Sequence, residues 1–122
     1  MVVAFASGFK AIIVENVGDF VYNVTLNREK QLNAMNGDLF TELRQTFEEI
    51  DRDPNCRVAV LSANGRAFCV GLDLAVLTGM ERGEDEDVAR FARKIQRSLG
   101  EKQECITTLE RVIYQSNIFR YN

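Results

Sequence analysis

Residues 64–74 read Asn64-Gly65-Arg66-Ala67-Phe68-Cys69-Val70-Gly71-Leu72-Asp73-Leu74. Asn64-Gly65 is a turn signal. Gly71 permits a backbone turn that a β-carbon would obstruct, and such a turn can aim the N–H of Leu72 into a cavity. The stretch follows Arg57-Val58-Ala59-Val60-Leu61-Ser62-Ala63, whose nearly continuous apolar run reads as a strand of a parallel sheet covered on both faces. Such a strand needs neighbours on both edges, and an unpaired edge invites aggregation.

Upstream, the spacing predicts a helix. Asn36 is placed to cap it, Asp38 sits in its first turn, and Met35 and Phe40 have the spacing of a hydrophobic staple. Leu39, Phe40, Leu43, Phe47 and Ile50 form its apolar stripe, with Glu42, Arg44, Gln45, Glu48 and Glu49 read onto the opposite face. Pro54 disfavours helical geometry at Asp53, so the helix is expected to end near Asp51. Further upstream, residues 11–16 and 20–27 read as two strands joined by Val17-Gly18-Asp19. Phe20, Tyr22, Val24 and Leu26 alternate onto one face. The short connection makes the pair an antiparallel hairpin. A hairpin, a helix and a buried strand in that order describe an α/β chain with a crossover unit.

Downstream, Asp73 reads as a possible N-cap for a short helix over 74–78. Gly79 to Asp87 is an acidic loop, and a second helix is expected from about Asp85 to Glu110, with Val88, Phe91, Ala92, Ile95, Leu99, Ile106 and Leu109 as its apolar stripe. Residues 112–122 have strand-like composition, including Ile113, Tyr114, Ile118 and Phe119, but no turn signal to place them.

The bulk numbers exclude several classes of function. A formal net charge of -3 argues against a general nucleic-acid binder. The chain has no histidine, which removes the commonest general base and neutral metal ligand. Cys56, Cys69 and Cys105 form no Cys-x-x-Cys pair, so reduced thiols are expected rather than a zinc site or a disulfide framework. The run Val2 to Ala6 is too short for a membrane span, and Lys10 follows it rather than preceding it, so no secretory signal is read. A cytoplasmic location is the default expectation. With 122 residues and 46% hydrophobic content, a packed core is expected.

A second stretch, Thr25-Leu26-Asn27-Arg28-Glu29-Lys30-Gln31-Leu32-Asn33-Ala34-Met35-Asn36, precedes the first helix. Taken with residues 64–74, it resembles the crotonase (enoyl-CoA hydratase/isomerase) family. It is similar to that family's Leu-Asn-Arg-Pro and Asn-Ala-Met segment, while residues 64–74 resemble its Gly-x-x-Phe-x-x-Gly-x-Asp-Leu loop. Val14-Glu15-Asn16 and Thr107-Thr108-Leu109-Glu110-Arg111 resemble the dienoyl-CoA isomerase and enoyl-CoA hydratase branches. Glu29 departs from the proline common in the family.

The resemblance implies the N-terminal portion of a crotonase-type ββα spiral fold. It implies chemistry on an acyl-CoA thioester, with coenzyme A carried by the substrate and no separate cofactor. The backbone N–H of Leu72 becomes an oxyanion donor, and Asn33, Ala34, Ala67, Cys69, Gly71 and Asp73 become residues of the CoA and adenine pocket. Read from the residues alone, Gly71 can be a turn glycine, Asn33 can satisfy loop backbone, and Cys69 reads as a packed small side chain. Arg28 and Lys30 are either solvated charges or contacts for CoA phosphates.

The resemblance covers about residues 10–111. The expected organisation is a partial acyl-CoA-binding domain over 1–111 and a divergent tail over 112–122. The family's second oxyanion glycine and its catalytic carboxylates have no counterpart in the sequence, so the expectation is a truncated chain without turnover of its own. The alternative is a non-catalytic acyl-CoA-binding or subunit-interaction fragment. Full-length members are expected to form trimers or hexamers, in mitochondria or peroxisomes if the source is eukaryotic.

Overall fold

A computed structural model describes residues 2–74, 76, 83–115 and 117–120, with side chains through Thr107. Strands β1 (Ile12–Asn16) and β2 (Val21–Leu26) form the antiparallel hairpin, in a register that sets Ile12 opposite Leu26 and Asn16 opposite Tyr22. Helix α1 (Gly37–Arg52) crosses back over the sheet to β3 (Val58–Ala63), which pairs parallel to β2. Helix α2 (Val88–Gln115) leads to β4 (Asn117–Arg120), which pairs parallel to β3. The sheet order is β1-β2-β3-β4.

Both ends of α1 follow from local chemistry. The Asn36 side chain accepts the N–H of Leu39 at 2.9 Å, satisfying a donor that the first helical turn leaves open. At the other end Asp53, before Pro54, is already extended with ψ 111°. Leu39, Leu43, Phe47 and Ile50 pack into one core with Ile12, Val14, Tyr22, Val24, Leu26, Ala59 and Leu61 from the sheet. Each large side chain so buried contributes about 1.5–3 kcal/mol.

Several expectations are corrected. Glu42, assigned to the solvent face of α1, is buried. Its carboxylate accepts the backbone N–H groups of Lys10 at 2.6 Å and Ala11 at 2.7 Å, so the charge is held by donors at the entry to β1. Phe20, expected to face the core, instead ends the hairpin turn. Gly18, Asp19 and Phe20 all have positive φ, and the Phe20 ring lies exposed beneath the Arg57 guanidinium, 4.3 Å from its centroid. The Phe20 carbonyl also accepts the N–H groups of Arg57 and Val58. The turn's geometry therefore outweighs the alternation, and a cation–π contact gives the ring a surface partner.

The second neighbour that β3 needs is supplied over Val58–Leu61 by β4, which no turn signal marked. Strand β3 is covered less evenly than expected. Ala59 and Leu61 are buried under α1, while Val58, Val60 and Ser62 stay half-buried on the other face. Helix α2 starts at Val88 rather than near Asp85 and runs through Arg111 to Gln115, so the point where the family resemblance ends is no break in secondary structure.

The expected α2 stripe is also corrected. Val88, Leu99 and Ile106 are 62%, 49% and 48% exposed. The side of α2 turned inward carries Phe91, Ile95, Ser98, Lys102 and Cys105. Lys102 lies over the Phe40 ring, and Cys105 is buried against Arg44. The helix expected over 74–78 falls outside the described residues apart from Leu74 and Val76. The acidic loop at 79–82 and the side chains of Leu109, Ile113, Tyr114, Ile118 and Phe119 also lie outside them.

Candidate functional site

The two sequence stretches meet at the ends of β2 and β3. After β2, residues Glu29–Gln31 make one 3-10 turn, closed by Leu32 and Asn33 in left-handed conformation. An asparagine tolerates that backbone better than most residues. Its side chain then joins the two stretches. The Asn33 amide accepts the N–H of Arg28 at 2.8 Å and donates to the carbonyls of Asn64 at 2.8 Å and Ala67 at 2.9 Å. Asn33 is 0% exposed. Both of its donors are spent on the loop after β3, so its contribution to any ligand site is through the backbone it fixes. Gly65 belongs to the same junction. With φ +89°, a β-carbon there would sit 2.8 Å from Cβ of Glu29, so the close approach of the two loops requires glycine.

Beyond this junction, Met35 and Leu72 form a short parallel bridge. The Met35 N–H donates to the Gly71 carbonyl at 2.7 Å, and the Asp73 N–H donates to the Met35 carbonyl at 3.0 Å. The Gly71 carbonyl and the Leu72 N–H belong to one peptide unit. In a trans peptide the two point in opposite directions, and no cis bond occurs here. With the carbonyl turned toward Met35, the Leu72 N–H points away from it, and no hydrogen bond among the described residues engages it. Gly71 has φ +106° and open space where a β-carbon would stand, so its conformation rather than crowding calls for glycine. Leu72 itself is exposed.

A third tie is ionic. The Arg28 guanidinium donates to the Ala34 carbonyl through one nitrogen and lies 3.1 Å from the Asp73 carboxylate through the other. Arg28 is therefore committed within the protein, while Lys30 is exposed. The Cys69 sulfur lies 3.5 Å from the Gly71 nitrogen and accepts its N–H. Burial pushes the thiols of Cys56 and Cys105 up to about 11, which keeps both protonated at neutral pH. No group of three metal-ligating side chains occurs among the described residues.

The structure thus brings together Asn33, Ala34, Ala67, Gly71, Leu72 and Asp73, with Cys69 beside Gly71. Sequence reasoning gave no site role to Met35, read as half of a staple, whose backbone fixes the 71–72 peptide, or to Asn64, read as a turn residue, whose carbonyl anchors Asn33. An isolated bridge between two loops has no periodicity to betray it. A groove of about 290 Å³ lies elsewhere, between the start of α1 and α2, lined by Gly37, Phe40, Thr41, Arg44, Glu101 and Lys102. It contains none of the residues of the junction.

The chain belongs to the enoyl-CoA hydratase/isomerase family, which it matches over residues 17–110. It is 31% identical over 101 residues to the peroxisomal Delta(3,5)-Delta(2,4)-dienoyl-CoA isomerase of Arabidopsis thaliana, covering 81% of this chain and 36% of that protein. It is 32% identical over 104 residues to the mitochondrial enzyme of that name from Rattus norvegicus, covering 84% of this chain and 32% of that one. The fold matches the crystal structure of an enoyl-CoA hydratase from Bacillus anthracis with a TM-score of 0.72 at 24% identity, over 91% of this chain and 39% of the other. The chain therefore spans about a third of the length of the curated relatives it matches.

Proposed function

We propose that the junction of the two loops is part of a site for an acyl-CoA thioester, of the kind hydrated or isomerised in fatty-acid β-oxidation. The Leu72 N–H is one oxyanion donor in this reading. Asn33, Ala34, Ala67, Cys69, Gly71 and Asp73 form the wall along which the CoA moiety lies, partly through backbone atoms. The observation that carries the reading is the Met35-to-Gly71 hydrogen bond, since it turns the Leu72 N–H outward, where no described residue bonds it. When a proton leaves the carbon beside a thioester, charge builds on the carbonyl oxygen, and a fixed N–H donor aimed at that oxygen stabilises it. The compartment proposed is the mitochondrion or peroxisome, following the names of the relatives, and the assembly is a homo-oligomer.

Among the described residues we assign no second oxyanion donor and no proton carrier. One missing donor costs ~10²–10³ in rate, and a missing acid or base costs ~10²–10⁴. The purified chain is expected to bind acyl-CoA without hydrating or isomerising it. Calorimetric titration with butanoyl-CoA tests the first part, and no detectable binding would overturn the reading. Protein-dependent loss of enoyl-CoA absorbance tests the second, and robust turnover would show that a donor and a proton carrier are present after all.

One observation favours a second reading, a non-catalytic fragment that joins other subunits. Val88, Leu99 and Ile106 lie along one side of α2 and are about half exposed or more, a pattern that marks contact surfaces. Sedimentation across a range of concentrations tests it, and a monomer at every concentration would count against it.

A further inference from the structure

We propose that Arg28 is the positioning residue of the Leu72 loop, its guanidinium fixing the 71–72 peptide by bridging the Ala34 carbonyl and the Asp73 carboxylate. The inference rests on the acyl-CoA reading above and goes beyond it, since the residue assigned touches neither substrate nor reacting atom.

The loop has few other means of holding its shape. Val70, Leu72 and Leu74 are exposed, and no atom outside the immediate neighbours lies within 4 Å of where a β-carbon of Gly71 would stand. Apolar packing reaches the start of the loop, where Phe68 and Cys69 lie against the core, and polar ties orient the peptide beyond it. Besides the Gly71 N–H bond to the Cys69 sulfur, two ties join this loop to the segment around Met35 among the described residues. One is the Met35 bridge, whose hydrogen bonds flank Leu72 on either side. The other is Arg28, which grips one residue before Met35 and one residue after Leu72. The bridge and the ion pair thus clamp the same two segments, residues 34–35 and 71–73.

The choice of residue fits that task. A guanidinium presents several donors in one rigid plane, so a single side chain can hold a carbonyl and a carboxylate on different segments at once. A lysine ammonium is a point charge on a flexible stem and holds such a geometry poorly. The pair is mostly shielded, at 15% and 17% side-chain exposure, so it is screened less than a surface ion pair. Its own backbone is held as well, because the Arg28 N–H donates to the buried Asn33 side chain. A phosphate-binding role for Arg28 is disfavoured by the same contacts, since an anion approaching it would meet the Asp73 carboxylate.

The test uses the 122-residue chain with Arg28→Lys, Arg28→Gln and the charge swap Arg28→Asp with Asp73→Arg. Two measurements are made. The first is amide hydrogen exchange at Met35 and Asp73, which needs no ligand. The second is the ratio of affinities for butanoyl-CoA and S-butyl-CoA, a thioether with no carbonyl for the Leu72 N–H to meet. Arg28→Gln and Arg28→Lys are expected to speed exchange at both amides about tenfold, the loss of roughly one charge-assisted hydrogen bond. They should also lower the preference for the thioester several-fold while leaving the thioether affinity near that of the parent. The swap should restore part of the protection. Unchanged exchange in Arg28→Lys, or equal weakening of both ligands, overturns the proposal. If Arg28→Gln fails to fold, Arg28→Lys, which keeps the charge and loses the fork, decides the matter. A parent chain that binds neither ligand sinks the acyl-CoA reading, and the exchange data still judge the clamp by themselves.

Discussion

The buried carboxylate of Glu42 accepts the backbone N–H of Ala11 at 2.7 Å, joining the second turn of α1 to the start of β1 across 31 residues of chain. Its other oxygen takes the N–H of Lys10. Glu42→Ala would leave two donors unpaired where water reaches them poorly, at a cost of about 2–4 kcal/mol. Glu42→Gln keeps one acceptor oxygen and should lose less. Urea unfolding of the two variants checks this, and an Ala variant as stable as the parent would show that the carboxylate does not hold the strand.

At Asn33, backbone strain and side-chain bonding can be separated. Asn33→Ala removes three hydrogen bonds and places a β-branch-free but chiral residue at φ 55°. Asn33→Gly removes the same bonds without the left-handed penalty of about 1–2 kcal/mol. Both variants should be destabilised, the glycine variant by the smaller amount. The reverse order in thermal melts would mean that the left-handed backbone costs nothing here.

Gly71 and Gly65 predict different outcomes. Gly71→Val meets no neighbour but must adopt φ +106°, so the exposed loop should shift locally. Helix content should stay near that of the parent, and thioester binding should be lost. Gly65→Ala drives a β-carbon into Glu29 and should lower stability as well. Circular dichroism and ligand titration on both variants separate the two cases. Normal thioester binding in Gly71→Val would count against a role for the loop's geometry.

Tyr22 links stability to alkaline pH. Its hydroxyl donates to Asp53 at 2.5 Å. That bond, burial and the Asp53 charge push its pKa from 10.0 up to about 12. A folded-state pKa above the unfolded value means stability that is fully present below about pH 10 and lost as pH rises toward about 12. Tyr22→Phe should therefore be less stable at neutral pH by about 1–2 kcal/mol, and the gap should close above pH 10. A constant gap from neutral to strongly alkaline pH would refute the linkage.

What was legible in the sequence was what local order decides. The β1–β2 hairpin, the Asn36 cap, the stripe of α1 and the placing of β3 each follow from periodicity or from a residue's own neighbours. Phe20 departs from its alternation because the turn's left-handed backbone carries it outward, where Arg57 covers the ring, and Glu42 departs from its face because its partners, Lys10 and Ala11, come from distant chain. In α2, helical spacing shows that Val88, Leu99 and Ile106 share a face, but spacing does not say whether anything covers it. Strand β4 had no flanking turn to announce it. The loop at 64–74 was recognised by likeness to a family. Its working geometry, with Asn33 as the knot and Met35 as the brace, exists only once two loops have met.

The sheet order β1-β2-β3-β4 repeats the order of the chain. Among the described residues each strand lies beside the strand made immediately before it, and none waits for a later one to be inserted between. For a polypeptide emerging from a ribosome, N-terminal end first, such a sheet is built by accretion at one growing edge. The hairpin can form as soon as Leu26 is out, and β3 finds its template ready. Strand β3 waits for the 16 residues of α1, and β4 for the 28 of α2. Loop closure thus lengthens with each step, from a short turn to a one-helix crossover to the stretch between Ala63 and Asn117, so the outer edge of β3 is the one that stays bare longest.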